Sequence, residues 1–236
     1  MKTSSVAALL LVVMNAVSGS ADVVSPYPDE DEFNLDINEF REVTAGISSA
    51  AELFEFIGSE RGSPADTLLM ASILYPDSVE RHFYYVIPSG YDPENGNPLF
   101  VWLHGGVSTA NLRTMEPETL MEYYLLPRLL DEGYLIAFPC GQMHATWWDT
   151  VGEEGILRIV RWMKKNFNID DSEVFVGGFS DGASGSFSLM MLHPSCFAGY
   201  LAFSGHIGVA ALDGERATYL PCLSNRPGIV SHSDED

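Results

Sequence analysis

Apolar runs of strand length alternate with amphipathic stretches of helical length from residue 81 onward. The runs that predict strands lie at 82–87, 99–103, 134–138, 174–176, 200–203 and 229–230. The later runs are almost wholly apolar, which is typical of parallel strands covered on both faces. The stretches between them at 118–131 and 153–167 predict helices. This alternation predicts an α/β fold with a mostly parallel central sheet and helices on both faces.

The clearest helical pattern lies at 153–167. Its apolar residues recur at spacings of four, three and four, and basic residues lie mostly off that stripe, so we expect a helix packed on the sheet. The stripe consists of Ile156, Val160, Met163 and Phe167. A weaker pattern at 43–58 predicts a further helix.

The first residues have the order of a secretory signal peptide. Lys2 precedes an apolar run at 6–17, and small residues follow at 18–21. The run is shorter than the roughly 20 residues needed to span a bilayer, so we expect cleavage rather than anchoring. We therefore divide the chain into a leader (1–20), an acidic segment with a possible helix (21–80) and an α/β domain (81–236).

The formal net charge of −21 makes nucleic acids and anionic membranes poor partners after the leader is removed. The three cysteines, Cys140, Cys196 and Cys222, fit an exported chain with one disulfide and one cysteine left over, and the pair stays open. The sequence contains no phosphate loop with lysine, no HExxH and no EF-hand pattern, so we expect no metal and no cofactor.

Ser180 stands in the pentapeptide Gly178-Phe179-Ser180-Asp181-Gly182, between a predicted strand and a stretch of small and apolar residues. A serine at so tight a strand-to-helix turn has a strained backbone, and glycines beside it remove β-carbons that would clash. The N-terminus of the following helix favours negative charge near the serine oxygen. Ser180 is thus the candidate nucleophile, and a structural turn serine is the alternative.

A second glycine-rich turn, His104-Gly105-Gly106-Val107, follows the predicted strand at 99–103. Backbone N–H groups of such a turn can approach an oxyanion without obstruction by side chains. We expect the oxyanion donors to be the N–H of Gly106 or Val107 and the N–H of Asp181. His104 precedes the glycines, so an orienting role at the substrate site is favoured over that of general base.

The loop at 141–149 follows another predicted strand and carries Trp147 and Trp148. Aromatic side chains often line ligand sites, so this pair is a candidate wall for an acyl or aromatic pocket. Because neighbouring residues point in different directions, we expect one tryptophan to be buried and the other to face the substrate. Asp149 is expected to cap the following helix.

These motifs together resemble the α/β-hydrolase superfamily. More narrowly, the chain is similar to the exported esterases grouped with polyhydroxybutyrate depolymerases, feruloyl esterases, dienelactone hydrolase and the prolyl oligopeptidase catalytic domain. The resemblance runs from about residue 82 to 236 and rests on the segments 85–92, 103–106, 147–149 and 177–185. It implies the α/β-hydrolase fold and hydrolysis through an acyl-enzyme on the serine.

The resemblance also implies an acid after a later strand and a catalytic histidine after that acid. By position the acid is Asp236, at the end of the segment 226–236. All six histidines precede Asp236, so we expect the catalytic histidine and the C-terminal part of the fold to be missing from this sequence. His206 and His232 are weaker alternatives for the base, and Asp213 is a weaker alternative for the acid.

We therefore expect a secreted serine hydrolase that cleaves small or polymeric carboxylic esters. A peptidase of prolyl oligopeptidase type is less favoured, because about 60 residues between the leader and residue 82 cannot supply a large gating domain. The missing histidine leaves a third interpretation, a hydrolase-fold protein that binds without cleaving. Without its C-terminal segment, we expect the chain to aggregate or to be inactive.

Overall fold

The computed structural model describes residues 67–112, 125–213 and 218–232. The predicted leader, the helix expected at 43–58 and Asp236 lie outside these residues, as does the first part of the helix expected at 118–131. The strands are β1 (Thr67–Leu74), β2 (Glu80–Ile87), β3 (Asn97–Leu103), β4 (Leu135–Pro139), β5 (Ile169–Phe179), β6 (Gly199–Phe203) and β7 (Gly228–Ser231). The helices are α1 (Leu125–Asp131), α2 (Thr150–Asn166), α3 (Asp181–Leu192), the short α4 (Val209–Leu212) and a 3-10 helix (Leu220–Asn225).

All seven strands form one sheet in the order β1-β2-β4-β3-β5-β6-β7. β2 runs antiparallel to both of its neighbours, and the pairs from β4 to β7 are parallel. The prediction of a mostly parallel sheet is therefore confirmed. Because parallel strands end at the same edge of the sheet, the segments after β3, β4, β5 and β6 meet there.

The middle of the sheet is covered on both faces. Successive side chains of a strand point to opposite faces, and all five residues of β4 are buried. The last five residues of β3 are buried as well, so layers pack against both sides of these central strands. The near-continuous apolar runs in the sequence therefore follow from the position of these strands in the middle of the sheet.

Helix α2 forms as its pattern predicts. Asp149 is its N-cap, and its carboxylate accepts a hydrogen bond from the N–H of Gly152 at 2.8 Å. Ile156, Val160 and Met163 of the predicted stripe are buried in the core. Ser188 of α3 donates a hydrogen bond to the buried carboxylate of Glu153 at 2.9 Å, which joins α2 to α3 inside the protein.

Strand β1 was missed by the sequence analysis, which assigned residues 21–80 to an acidic segment. Its run of apolar residues is compatible with either a helix or a strand, and periodicity alone does not separate the two. In the structure β1 pairs along its whole length with β2. The turn that joins them is held by Arg81, whose guanidinium donates two hydrogen bonds to Asp77 at 2.7 and 2.8 Å.

The cysteines Cys140, Cys196 and Cys222 all lie among the described residues, and all three are free thiols. The expected disulfide is therefore not formed in this structure. Burial raises the pKa of the Cys140 thiol to about 12, so it stays protonated at neutral pH.

Across the described ranges no group of His, Cys, Asp and Glu side chains is arranged to hold a metal ion. Nor does any helix there have the length and apolarity needed to cross a membrane.

Candidate active site

Ser180 lies at the sharp turn between β5 and α3. It is the N-cap of α3 and has φ 57° and ψ −118°, a left-handed backbone that non-glycine residues rarely adopt. Its N–H donates to the carbonyl of Phe203 in the neighbouring strand β6 at 2.9 Å, which helps to hold this conformation. The tight turn leaves the side chain of Ser180 partly exposed at the carboxyl edge of the sheet.

Two glycines allow the turn to pack against the end of β3. A β-carbon on Gly178 would lie 2.3 Å from the carbonyl oxygen of Leu103, and one on Gly182 would lie 1.8 Å from the same oxygen. Both distances are far below van der Waals contact, so larger residues would push α3 away from the sheet. The glycines on both sides of Ser180 therefore serve packing, as the pentapeptide pattern indicates.

The glycine-rich turn after β3 lies directly beside Ser180. A β-carbon on Gly105 would be 3.2 Å from the Ser180 β-carbon and 3.6 Å from its hydroxyl oxygen. Gly106 follows with φ 71°, in the region that favours glycine. The structure thus brings together the two motifs that the sequence analysis assigned to nucleophile and oxyanion donors. They are separated by more than 70 residues in the sequence.

His104 is buried, and its imidazole is fully engaged with the backbone. Its Nδ1–H donates to the carbonyl of Gly105 at 2.9 Å, and its Nε2 accepts the N–H of Gly141 at 3.1 Å. This pattern fixes a neutral imidazole, so neither ring nitrogen can take a proton from Ser180. His104 orients the turn, and its assignment as a substrate contact is corrected because its ring faces the protein interior.

The expectation that one tryptophan faces the substrate is wrong, because Trp147 and Trp148 are both buried. The indole of Trp147 donates to the carbonyl of His104 at 2.8 Å, and its β-carbon packs where Gly185 of α3 leaves space. The indole of Trp148 donates to the carboxylate of Asp213 at 2.9 Å. Both indoles are thus engaged inside the protein, one at the backbone of His104 and the other at Asp213.

The prediction that the N–H of Val107 is an oxyanion donor is corrected. Its N–H donates to the side-chain carboxylate of Asp181 at 2.9 Å, so this group is already occupied. The assignments of Gly106 and of the backbone N–H of Asp181 as oxyanion donors stay predictions. As the first residue of α3, Asp181 has a backbone N–H with no carbonyl to bond within the helix.

The contact between the Asp181 side chain and Val107 was missed by the sequence analysis. From the sequence, only the backbone of Asp181 has a predicted role. An acidic residue directly after the nucleophile, where it faces the glycine turn of β3, was the available signal.

His206 lies in the loop after β6, near the first turn of α3. Its backbone N–H donates to the hydroxyl of Ser184 at 2.8 Å, and its Nδ1 accepts the N–H of Gly208 at 3.2 Å. With Nδ1 accepting, the proton of the neutral ring resides on Nε2, so this arrangement does not make His206 a base. His232 follows β7 and is exposed. The hydrogen bonds given above for the His104 and His206 rings go to backbone groups of Gly105, Gly141 and Gly208.

Comparison of the sequence with protein-family models gives no match. The curated proteins that it resembles include the bifunctional acetylxylan esterase/xylanase XynS20E of Neocallimastix patriciarum, 28% identical over 130 residues. This match covers 53% of this chain and 18% of that protein. A probable acetylxylan esterase A of Aspergillus flavus is 29% identical over 84 residues, covering 31% of this chain and 27% of that protein. The chain therefore matches less than a third of the length of each relative.

Solved structures show the same architecture at low sequence identity. A thermostable esterase superposes with a TM-score of 0.53 at 19% identity, covering 69% of this chain and 45% of that one. The feruloyl esterase module from Clostridium thermocellum gives a TM-score of 0.50 at 12% identity, covering 72% and 82%. With the sheet order and the turn at Ser180, this likeness establishes the α/β-hydrolase fold.

Proposed function

We propose that this protein is a serine hydrolase that cleaves carboxylic esters through an acyl-enzyme formed on Ser180. The observation that carries the proposal is the placement of Ser180 in a left-handed conformation at the N-terminus of α3, with Gly105 beside its hydroxyl. A backbone held in this unfavourable region is more often retained for chemistry than for packing. The likeness to esterases in sequence and in fold supports the same reaction class.

In the proposed reaction the hydroxyl oxygen of Ser180 attacks the ester carbonyl carbon while a base takes the hydroxyl proton. The tetrahedral adduct then collapses, the alcohol leaves with that proton, and the acyl group remains on Ser180. Water repeats the sequence and releases the carboxylic acid. We assign Asp236 as the acid that orients the catalytic histidine, and that histidine as the base. His104 and His206 are not assigned as the base, because their rings are bonded to backbone groups.

Negative charge on the adduct would face the backbone N–H groups of Gly106 and Asp181. The N-terminus of α3 points toward the same place, so its dipole adds to the stabilisation. Donors fixed before the reaction are effective because no reorganisation is needed when the charge develops. The ring of His104 and the indole of Trp147 contribute by holding the turn that carries Gly106.

Acetyl esters of plant polysaccharides are the substrate class that the comparisons favour. Two relatives from different fungi are named for acetylxylan esterase activity. We therefore propose short-chain acyl esters as substrates, with an acetylated polymer as one form. The expected leader and these relatives also support export from the cell.

The test compares p-nitrophenyl esters of increasing acyl length, with acetylated xylan as a polymeric substrate. We expect kcat/KM to fall from acetate to octanoate, acetate to be released from the polymer, and kcat to fall at least ~10⁴-fold in Ser180→Ala. The matched control is Ser172→Ala, which changes an exposed serine in β5 and should leave kcat unchanged. Activity that survives in Ser180→Ala would contradict the proposal.

A protein that binds esters or sugars without cleaving them is the second candidate. Its support is that the rings of His104 and His206 are hydrogen-bonded to backbone groups. Under this alternative, acetylated xylan would bind to wild type and Ser180→Ala with equal affinity and would not be hydrolysed. The kinetic test therefore separates the two candidates.

A further inference from the structure

The carboxylate of Asp181 joins the two halves of the candidate site. Asp181 directly follows the nucleophile in the sequence, and its Oδ2 accepts the N–H of Val107 at 2.9 Å. Val107 is fully buried and Asp181 is half-buried, so this bond is partly shielded from competing water. The bond links the end of the glycine turn after β3 to the first residue of α3.

Other contacts hold the beginning of the same turn. The ring of His104 bonds the carbonyl of Gly105, the N–H of Gly141 bonds that ring, and the indole of Trp147 bonds the His104 carbonyl. These contacts fix the turn to the loop after β4. The bond from Asp181 fixes it to the helix that carries the nucleophile.

Gly106 lies between these two sets of contacts. Glycine adopts its φ of 71° without strain and can adopt other angles as easily, and the flanking residues are tied to two different elements. The direction of the Gly106 N–H relative to Ser180 therefore depends on both attachments. A shift of a few tenths of an ångström would weaken a bond to an oxyanion, because such donors act through exact placement.

We propose that the Asp181 side chain is a positioning residue, which sets the oxyanion donors of the glycine turn against Ser180 by accepting the N–H of Val107. The bond also directs the carboxylate charge toward Val107, where a hydrogen-bond donor and the N-terminus of α3 stabilise it. A carboxylate released from Val107 could instead lie beside the reacting carbonyl and oppose negative charge there. This role rests on the proposed ester hydrolysis.

What matters in this role is an acceptor atom at the end of the side chain, and the negative charge is dispensable. An asparagine keeps a carbonyl oxygen where Asp181 places Oδ2, so Asp181→Asn should retain the bond. An alanine removes the acceptor and should release the turn. The two substitutions remove the same charge, so their comparison isolates the hydrogen bond.

The experiment measures kcat and KM for p-nitrophenyl acetate with the full chain. We expect Asp181→Ala to lower kcat by about 100-fold with little change in KM, because the donors act mainly on the transition state. Asp181→Asn should restore kcat to near the wild-type value. Asp170→Ala is the matched control, since Asp170 accepts its hydrogen bonds from Ser172, two residues along the chain, and lies at the opposite end of β5 from Ser180.

The outcomes separate this role from the proposed function. If Ser180→Ala abolishes hydrolysis while Asp181→Ala matches wild type, the role of Asp181 is overturned and the nucleophile stands. If Asp181→Asn is folded and as slow as Asp181→Ala, the carboxylate charge is required and the positioning role is overturned. If folded protein that carries the histidine paired with Asp236 shows no hydrolysis, both proposals fail. Should Asp181→Ala not fold, the nearly isosteric Asp181→Leu replaces it as the variant without an acceptor.

Discussion

The backbone of Ser180 sits in a region of φ and ψ that costs an ordinary residue about 1–3 kcal/mol. Its surroundings maintain it through the bond from its N–H to Phe203 and through the close packing of Gly178 and Gly182 on β3. Backbone strain of this size persists where function requires it. The backbone geometry therefore supports the assignment of Ser180 as nucleophile independently of the sequence motif. The cost can be measured directly.

Replacing Ser180 with glycine should relieve this strain. Glycine adopts φ 57° without a steric penalty, although it loses more conformational entropy on folding than alanine does. We expect Ser180→Gly to be more stable than Ser180→Ala by roughly 1 kcal/mol, with both variants inactive. Urea unfolding of the two variants checks this. Equal midpoints would mean that the turn stores no strain.

At the scale of single elements, the hairpin of β1 and β2 depends on one charged pair. Two hydrogen bonds from Arg81 lower the pKa of Asp77, and the Arg81 side chain is buried in a cation–π contact over the ring of Tyr75. A carboxyl whose pKa is lower in the folded state contributes stability above its unfolded pKa, near 3.9. That contribution is lost as the pH falls through the folded value.

Asp77→Asn should therefore lose stability at neutral pH, and its difference from wild type should shrink below about pH 4. The measurement is the urea midpoint of both proteins from pH 7 to pH 3. Asp171→Asn is the control, because Asp171 pairs with Lys164 while 86% exposed and should differ little from wild type at any pH. A difference for Asp77→Asn that stays constant down to pH 3 would contradict this account.

The local sequence pattern was sufficient to predict most of the helices and strands. The stripe of α2 and its cap at Asp149 could be predicted because helix period and capping depend on residues within a few positions. Strand β1 could not be predicted in this way. Its pairing with β2 decides that these residues form a strand and not a helix, and that pairing is a tertiary contact. The boundaries of β5 also extended well beyond the apolar core of that strand, for the same reason.

At the scale of the whole molecule, the sequence predicted which motifs lie close together. It did not predict the contacts between them. The elbow and the glycine turn were expected at one edge because parallel strands end together. The bond from Val107 to Asp181 and the burial of both tryptophans depend on packing between elements distant in sequence. Such contacts have no local signal, so the assignments of Val107, Trp147 and Trp148 were corrected by the fold.

The central claim is that Ser180 is an activated nucleophile, and a fluorophosphonate probe tests it most directly. Attack by the Ser180 oxygen on phosphorus expels fluoride, transfers the hydroxyl proton to the base and leaves a stable phosphonate ester. We predict that peptide mass spectrometry finds this adduct on Ser180 in folded protein that carries the histidine paired with Asp236. Ser180→Ala and the urea-unfolded wild type should remain unlabelled. A folded wild-type protein that stays unlabelled, or one labelled equally in Ser180→Ala, would contradict the claim.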